Sequence, residues 1–400
     1  MSKWIKEQDI AQYTEITEWE VAQALSNAVR QTAKNLPAFT ESFPGPASFS
    51  GFYKPGENKN WTTGFWTGEI WLSYEYATGQ DKEAFLNAGL KEVDSFHDRI
   101  TRKYDVDNHD MGFLFSPSCV AAYKLTKNEK AKEAAVLAAE QLIKRFHPVG
   151  EFLQAWGSMD DPANYRFIID CLLNLPLLYW ASEVTVDPKY REIAEKHIHT
   201  TMKYILREDD STWHTVFLDP ETGDFSHGST CQGYKDGSAW ARGQAWGIYG
   251  TAVAYKYTKR AEYITYFKRI ATYFLNHLPK DLVPFWDLTF GDGDAPAEPR
   301  DSSSAAIAAC GMLEMSKYME PVDAEYYTSI AKKFMKSLYD NYRVKDPASS
   351  NGQILHGTYS KKTPFNTCTE EGVDECIIWG DYYFMEALTR LSNKDWNIYW

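Results

Sequence analysis

Asp170 is the only charged residue between Arg166 and Glu183, in a segment that is otherwise almost entirely apolar. A lone carboxylate in apolar surroundings is costly unless it finds partners or keeps its proton. A carboxylic acid that stays protonated near neutral pH is suited to general acid catalysis. The alternative is a structural Asp that caps a helix or pairs with an arginine, and the residue alone does not decide between the two.

A second carboxyl group, that of Asp110, begins the preceding apolar segment. If these segments form neighbouring helices, Asp110 and Asp170 share a pocket, and their mutual repulsion raises one pKa. Asp is also a preferred helix N-cap, so a capping role for Asp110 stays open. His109 and His214 are candidate catalytic or substrate-binding groups, with a hydrogen-bonded structural role as the alternative for each.

The segment 232–246 combines an amide, two indoles and a guanidinium. We expect Gln232, Trp240 and Trp246 to contact a ligand, and Arg242 to clamp a substrate carboxylate. The alternative is that both tryptophans pack in the core and Arg242 pairs with a structural acid.

Aromatic residues make up 15% of the chain, which suits a carbohydrate cleft because sugar faces stack on aromatic rings. Trp61, Trp66 and Trp156 are candidate platforms of this kind. Large cores also hold many aromatic rings, so packing is an equal alternative for these three residues.

Two kinds of helical segment alternate along the chain, and their alternation predicts how the candidate residues are brought together. Helices that are apolar nearly all round are buried, and helices with one polar face lie outside them. The predicted inner helices are 61–76, 110–125, 167–185, 240–257, 301–318 and 378–391. The predicted outer helices are 17–35, 81–102, 128–146, 188–207, 262–278 and 324–342. Six of each predict an all-α, closed (α/α)6 barrel that forms a single domain over 1–400.

Each inner helix is predicted to begin at a loop rich in polar and aromatic residues, so these loops converge at one end of the barrel. Helix N-termini carry partial positive charge, which suits an anionic ligand. That end is the predicted pocket. Short β segments are expected at 214–218 and 358–360.

The net charge of −13 argues against nucleic acid or an anionic membrane as a partner. The sequence shows no signal peptide and no transmembrane segment. Its six cysteines form no Cys-x-x-Cys, so we expect reduced thiols in a cytoplasmic protein, with a link between Cys368 and Cys376 left open. Nucleotide-binding and metalloprotease motifs are absent, and the spacing of Glu298, Asp301 and Asp381 does not favour a cation. We therefore expect no metal and no cofactor.

Five motifs occur in the order in which one known family carries them. They are His109-Asp110-Met-Gly-Phe-Leu, Gln154-Ala-Trp156-Gly, Ile168-Ile-Asp170-Cys-Leu-Leu-Asn, Ala241-Arg242-Gly-Gln-Ala-Trp246-Gly and Ile378-Trp379-Gly-Asp381-Tyr-Tyr. In these motifs the chain resembles the unsaturated glucuronyl hydrolases, glycoside hydrolase family 88. The resemblance implies an (α/α)6 barrel that acts on lyase-generated glycosaminoglycan oligosaccharides carrying a Δ4,5-unsaturated uronic acid at the non-reducing end.

The resemblance also implies roles for individual residues. Asp170 corresponds to the general acid and base, and Asp110 to its paired carboxylate. The implied reaction hydrates the C4=C5 vinyl ether, so carboxylate spacing does not report retention or inversion here. The positions that line the sugar site are Trp61, His109, Trp156, His214, Gln232, Trp240 and Arg242. The implied partner is a di- to tetrasaccharide, and the protein is expected to be a monomer or homodimer.

One segment departs from the family pattern. Some members place Ser-x-x-Ser-x-Lys before the Gly-Val-Asp-Glu of the last loop and use it to hold sulfate. Here Glu371 takes the place of that lysine. This substitution puts a preference for sulfated disaccharides in doubt, although Lys361 and Lys362 lie in the same loop and offer possible replacements.

Three alternatives remain at this point. The nearest is an unsaturated rhamnogalacturonyl hydrolase acting on pectin fragments. The second is an N-acylglucosamine 2-epimerase-like sugar isomerase on the same barrel, which needs a pair of histidine bases. The third is a non-catalytic sugar-binding protein, which explains the aromatic residues but not the position of Asp170.

Overall fold

The computed structural model describes residues 2–294 and 297–400. Helices of an outer and an inner ring alternate along this part of the chain. In chain order they are α1 (Glu18–Phe39), α2 (Thr63–Tyr76), α3 (Gly79–Thr101), α4 (Met111–Phe115), α5 (Ala121–Thr126), α6 (Glu129–Ile143), α7 (Cys171–Asn174), α8 (Pro176–Thr185), α9 (Lys189–Tyr204), α10 (Ala241–Thr258), α11 (Glu262–Leu275), α12 (Ser302–Ser316), α13 (Pro321–Ser337) and α14 (Ile378–Ser392).

The inner ring consists of α2, α4 with α5, α7 with α8, α10, α12 and α14. Successive members contact one another, and α14 contacts α2, so the ring closes. The remaining helices, α1, α3, α6, α9, α11 and α13, surround it. The predicted (α/α)6 barrel is confirmed.

Burial follows the two sequence patterns. Residues 241–254 of α10 and 302–315 of α12 are all buried, because small Ala, Gly and Ser side chains allow neighbouring helices to approach on every side. The outer helix α11 buries one face only, which carries Tyr263, Phe267 and Phe274. The inner helices are therefore the rigid frame that holds the loops at their N-termini.

Short antiparallel strands connect the helices. They are β1 (Phe43–Pro44), β2 (Pro55–Gly56), β3 (Phe146–His147), β4 (Phe152–Leu153), β5 (Arg166–Ile168), β6 (Thr215–Leu218), β7 (Phe225–Ser229), β8 (Gly357–Ser360) and β9 (Glu371–Glu375). They pair as β1–β2, β3–β4, β5–β6–β7 and β8–β9. The β segments predicted at 214–218 and 358–360 are confirmed as β6 and β8.

The third inner helix begins later than the sequence predicted. Residues 166–168 form β5, and Asp170 is the residue immediately before α7 rather than one turn inside a helix. The Phe-Ile-Ile run has the β-branched and aromatic character of a strand, and β6 provides the pairing partner. Pro176 then separates α7 from α8, because proline cannot donate the backbone hydrogen bond that would continue the helix.

Gly112 permits the close approach of α4 and α7. A Cβ atom at this position would lie 2.2 Å from the Cα of Asn174. The same contact is fixed by the backbone N–H of Phe113, which donates to Asn174 Oδ1 at 2.8 Å. This contact places the residues before the two helices, Asp110 and Asp170, side by side.

A continuous apolar core runs from Ile10 to Trp400, and on this basis we propose that the chain folds as one domain. The six cysteines are all free thiols, so Cys368 and Cys376 are not linked. None of the described helices combines the length and the apolar character needed to cross a membrane.

We expect Gly112→Ala to destabilise the protein by about 1–3 kcal/mol, the usual cost of overpacking, and to reduce activity by separating the two carboxyl groups. Gly45→Ala is the matched control, because its added Cβ would meet its nearest atom at an ordinary 3.7 Å. Urea unfolding of both variants measures the difference. Equal stability of the two variants would show that the α4–α7 contact is not close-packed.

Candidate active site

Asp110 and Asp170 lie side by side, with His109 between their carboxyl groups. His109 Nε2 is 3.4 Å from Asp110 Oδ1 and 3.5 Å from Asp170 Oδ1. Neither Asp side chain caps the helix that it precedes, and Asp170 Oδ1 is buried without a hydrogen-bond partner among the described residues. The capping alternative is therefore wrong for both residues, and their carboxyl groups are available for chemistry.

The surroundings of this pair favour a bound proton. Burial raises the pKa of Asp170 to about 7, although the charge of Arg242 opposes the rise. Burial and the neighbouring Asp170 charge hold the pKa of Asp110 well above its usual range. Burial lowers the pKa of His109 to about 3, so the imidazole is neutral and does not help either carboxyl group to ionise. The pair thus retains a proton near neutral pH.

Arg145 holds the loop that faces His109. The buried guanidinium donates to the carbonyls of Gln154 and Gly157 at 2.8 and 2.9 Å and forms an ion pair with Asp107 at 2.7 Å. Trp156 lies within this loop, with its ring centroid 6.2 Å from that of His109. Trp156 keeps 39% of its surface exposed, so it is available as a sugar platform.

Strand pairing positions His214 beside Asp170. The backbone N–H of Ile169 donates to the carbonyl of His214 at 3.1 Å, which extends the β5–β6 ladder by one step. His214 Nδ1 accepts the backbone N–H of Cys231 at 2.8 Å, so the ring proton is assigned to Nε2. Burial lowers the pKa of His214 to about 3, which leaves a neutral N–H donor.

Gln232 and Trp240 complete this side of the site. The His214 and Trp240 rings lie 4.4 Å apart between centroids. Gln232 donates from Nε2 to the carbonyl of Tyr359 at 3.2 Å, which ties it to strand β8.

Arg242 is engaged by the protein. Its buried guanidinium donates to Asp301 at 2.7 Å and to the carbonyls of Thr358 and Tyr359. The alternative that Arg242 pairs with a structural acid is therefore confirmed, and its role as a clamp for a substrate carboxylate stays a prediction. Because a guanidinium has five N–H bonds and three are used here, two remain for a ligand.

The remaining tryptophans lie either in the wall of the site or in the core of the barrel behind it. Trp61 is partly buried, donates from Nε1 to the Tyr359 hydroxyl at 3.0 Å and packs 5.0 Å from Trp379. Trp246 is 1% exposed and packs against Phe113 and Tyr383, so the structure places it behind the site rather than at its surface. Trp66 is equally buried.

Two residues at the site were missed from the sequence. Tyr359 bonds Trp61, and its backbone carbonyl accepts from both Gln232 and Arg242. Arg166 stacks over Trp156 with its guanidinium carbon 5.0 Å from the ring centroid. Neither lies in an apolar inner helix, so the helical pattern gave no reason to select them.

The three acids weighed as cation ligands serve the barrel instead. Asp301 pairs with Arg242, and Glu298 pairs with Lys361 at 2.7 Å. Asp381 accepts from the Tyr53 hydroxyl at 2.8 Å and from the backbone N–H of Ile354 at 2.9 Å.

A different set is a geometric candidate for a metal ion. One donor atom from each of His109, Asp110 and Asp170 lies within 4.8 Å of the other two. Sequence spacing did not show this set, because Asp170 is distant in the chain from the other two. The arrangement is equally suited to sharing a proton, so the expectation of metal-independent chemistry stays a prediction.

A helical barrel whose loops surround a buried acid pair with aromatic rings has the site of a glycosidase. The sequence profile of Glycosyl Hydrolase Family 88 matches residues 39–397, and the chain belongs to this family. The unsaturated chondroitin disaccharide hydrolase of Streptococcus pneumoniae is 45% identical over 387 residues, which cover 96% of this chain and 95% of that protein.

Solved structures agree with this assignment. The crystal structure of unsaturated glucuronyl hydrolase from Streptococcus agalactiae has a TM-score of 0.93 at 43% identity, covering 98% of this chain and 97% of that one. A mutant of that enzyme complexed with dGlcA-GalNAc6S has a TM-score of 0.85 at 41% identity, covering 100% of this chain and 98% of that one.

The raised pKa of Asp170 predicts how stability changes with pH. An Asp in the unfolded chain ionises near the ordinary pKa of 3.8, whereas the folded protein holds the proton to about pH 7, so stability falls as pH rises between these values. Asp170→Asn removes this loss. The difference in the free energy of unfolding between Asp170→Asn and the wild type should therefore shift in favour of the variant by about 2–3 kcal/mol as pH rises from 5 to 8.

Urea unfolding at both pH values measures this gain, with Asp224→Asn, an exposed residue, as the control. A pH-independent difference between Asp170→Asn and the wild type would contradict a retained proton on Asp170.

Metal dependence is tested separately. We expect exhaustive dialysis against EDTA to leave kcat unchanged, because the pair acts through a proton rather than as a cation ligand. Loss of activity that returns on adding a divalent cation would instead assign His109, Asp110 and Asp170 as metal ligands.

Proposed function

We propose that this chain hydrolyses lyase-generated glycosaminoglycan oligosaccharides and releases the Δ4,5-unsaturated uronic acid from their non-reducing end. The observation that carries this proposal is the carboxyl pair, which retains a proton at neutral pH with no cation in ion-pair contact among the described residues. The similar S. agalactiae enzyme, a mutant of which was solved with dGlcA-GalNAc6S, supports the substrate class.

In the proposed reaction Asp170 donates its proton to C4 of the vinyl ether, and positive charge develops at C5. The resulting Asp170 carboxylate takes a proton from a water molecule as the water oxygen bonds to C5. The hemiketal formed at C5 then opens, and the glycosidic bond breaks as a consequence. The pair shares one proton, so the carboxyl group that does not hold it lies beside the positive charge that develops at C5, and the neutral His109 contacts both acids.

The surrounding residues supply the binding surface in this proposal. Trp156 and Trp61 provide aromatic faces for the sugar rings. The Nε2–H of His214 and the free N–H bonds of Arg242 are donors for the uronate carboxylate, with Gln232 beside them. Trp240 packs on His214, and Trp246 supports the site from the core.

We propose a di- to tetrasaccharide substrate, a cytoplasmic location in keeping with six free thiols, and a monomer or homodimer. Unsaturated rhamnogalacturonan disaccharide is the comparison substrate for the pectin alternative, and its exclusive turnover would favour that alternative.

We expect Asp170→Asn to lower kcat by about 10³-fold or more while leaving the dissociation constant for an unsaturated chondroitin disaccharide within about threefold of the wild-type value. The amide preserves shape and polarity but has no proton to transfer. Release of reducing sugar measures turnover, and calorimetric titration measures binding. Asp224→Asn is the control, and near-normal turnover by Asp170→Asn would refute the assigned acid.

Both lysines of the loop that differs from the family pattern make contacts within the protein, and only Lys361 has an acidic partner among the described residues. Lys361 is paired with Glu298, and Lys362 donates to the carbonyl of Asn366 at 2.7 Å. Glu371 is exposed at the start of β9. It pairs with Ser360 of β8, the residue that follows Tyr359. Its negative charge opposes a sulfate group there, so we propose a preference for unsulfated substrates.

Reversing this charge gives a direct test. We expect Glu371→Lys to raise kcat/KM for a 6-sulfated disaccharide, relative to its unsulfated counterpart, by about three- to tenfold, which is the scale of an exposed charge pair. Glu221→Lys, an exposed and distant reversal, should leave the ratio unchanged. A ratio that is equal in both variants would show that Glu371 does not face the second sugar.

A further inference from the structure

A small cavity lies between the outer helix α1 and the loop that follows α13. Its volume is about 150 Å³. The α1 side contributes Asn27, Arg30, Gln31 and Lys34, and the loop side contributes a second set of polar residues. That second set is Arg343, Lys345 and Gln353. None of these residues belongs to the active-site cluster.

The charges around this cavity are all positive. Arg30, Lys34, Arg343 and Lys345 line it, and no Asp or Glu of the described chain does. The nearby Asp346 turns its side chain to the backbone N–H of Ala348 instead, at 2.9 Å. Four cations around one cavity stand out in a chain whose net charge is −13.

These cations are also without carboxylate partners. Across residues 2–294 and 297–400, none of the four has an acidic oxygen within 4.0 Å. Arg30, Lys34 and Lys345 are exposed, whereas Arg343 is half-buried. Buried arginines elsewhere, such as Arg145, Arg242 and Arg390, are paired with acids. Arg343 is held by its stack on Tyr339, with the guanidinium carbon 4.3 Å from the ring centroid. Its Nε is buried and has no hydrogen-bond acceptor. A buried donor left unpaired is costly, which points to a missing acceptor.

The floor of the cavity is formed by Gln353, which is 6% exposed and donates from Nε2 to Thr32 Oγ1 and the carbonyl of Ala28, both at 3.3 Å, and to Glu69 Oε2 at 3.4 Å. Burial raises the pKa of Glu69 well above its usual range, which favours its uncharged form. A volume of 150 Å³ corresponds to about five water molecules. A tetrahedral oxyanion, whose five non-hydrogen atoms are covalently bonded, is smaller than five water molecules and fits within this space, whereas an oligosaccharide does not.

We propose that this cavity binds a tetrahedral oxyanion, either sulfate or phosphate, with Arg343 and Lys34 as its principal ligands. The planar guanidinium matches the oxygen spacing of such an anion, and Lys34 supplies a point charge from the opposite wall. Arg30 and Lys345 contribute at the mouth. This inference is independent of the proposed hydrolysis, because it rests on a separate part of the surface.

Calorimetric titration of the full-length wild-type protein with sodium sulfate and with sodium phosphate tests the proposal. We expect saturable binding of one ion per chain, weakened by added sodium chloride because exposed charges are screened. Galactose 6-sulfate distinguishes the source: binding of the ester assigns the anionic group of a larger molecule, and binding of the inorganic ions alone assigns the free ion.

A double variant, Arg343→Gln with Lys34→Gln, removes the principal ligands. We expect its dissociation constant for sulfate and for phosphate to rise about tenfold or more. Arg30→Gln with Lys345→Gln changes two exposed residues and keeps the test available if the first pair fails to fold. Lys103→Gln with Lys203→Gln removes the same charge elsewhere and should bind as the wild type does. The proposal would be overturned if the wild type showed no saturable binding of sulfate or phosphate, or if all three double variants bound these ions equally well.

Discussion

The structure depends on holding two largely buried carboxyl groups together, with side-chain exposures of 14% and 16% and only a neutral imidazole between them. Asp110 and Asp170 immediately precede two adjacent inner helices, and the absence of a side chain at Gly112 lets those helices approach. Because burial and mutual repulsion disfavour the doubly ionised state, the pair keeps a proton that water would otherwise remove. The barrel can therefore present a carboxylic acid to substrate at neutral pH.

Around this pair the site is fixed by a second set of buried contacts that crosses the barrel. Arg242 joins α10 to Asp301 at the start of α12 and to the β8 carbonyls. Asp301 also accepts from Ser303, whose hydroxyl accepts the indole N–H of Trp379. A buried ion pair contributes little net stability, but breaking one is costly, so this chain of bonds holds the loops in one arrangement.

The inner and outer helices were predictable because burial on all sides and burial on one side leave different sequence patterns. Asp170 could also be identified from the sequence, because it is the only charged residue in an apolar segment. The strand at 166–168 was not, since a short apolar run is compatible with helix or strand until its partner is known. The engagement of Arg242 by Asp301 was likewise hidden, because it joins residues 59 positions apart. Tyr359 and Arg166 lie on short strands and act through contacts with residues distant in the chain or in loops, which no periodic pattern records.

In the proposed reaction the acid pair hydrates a vinyl ether instead of cleaving the glycosidic bond directly. The most direct measurement follows the ultraviolet absorbance of the conjugated C4=C5 bond of an unsaturated chondroitin disaccharide mixed with the purified protein, without added metal, together with release of the hexosamine. We predict that the absorbance falls at the rate at which hexosamine appears. Release of hexosamine while the absorbance persists, or no change in either signal, would contradict the proposed reaction.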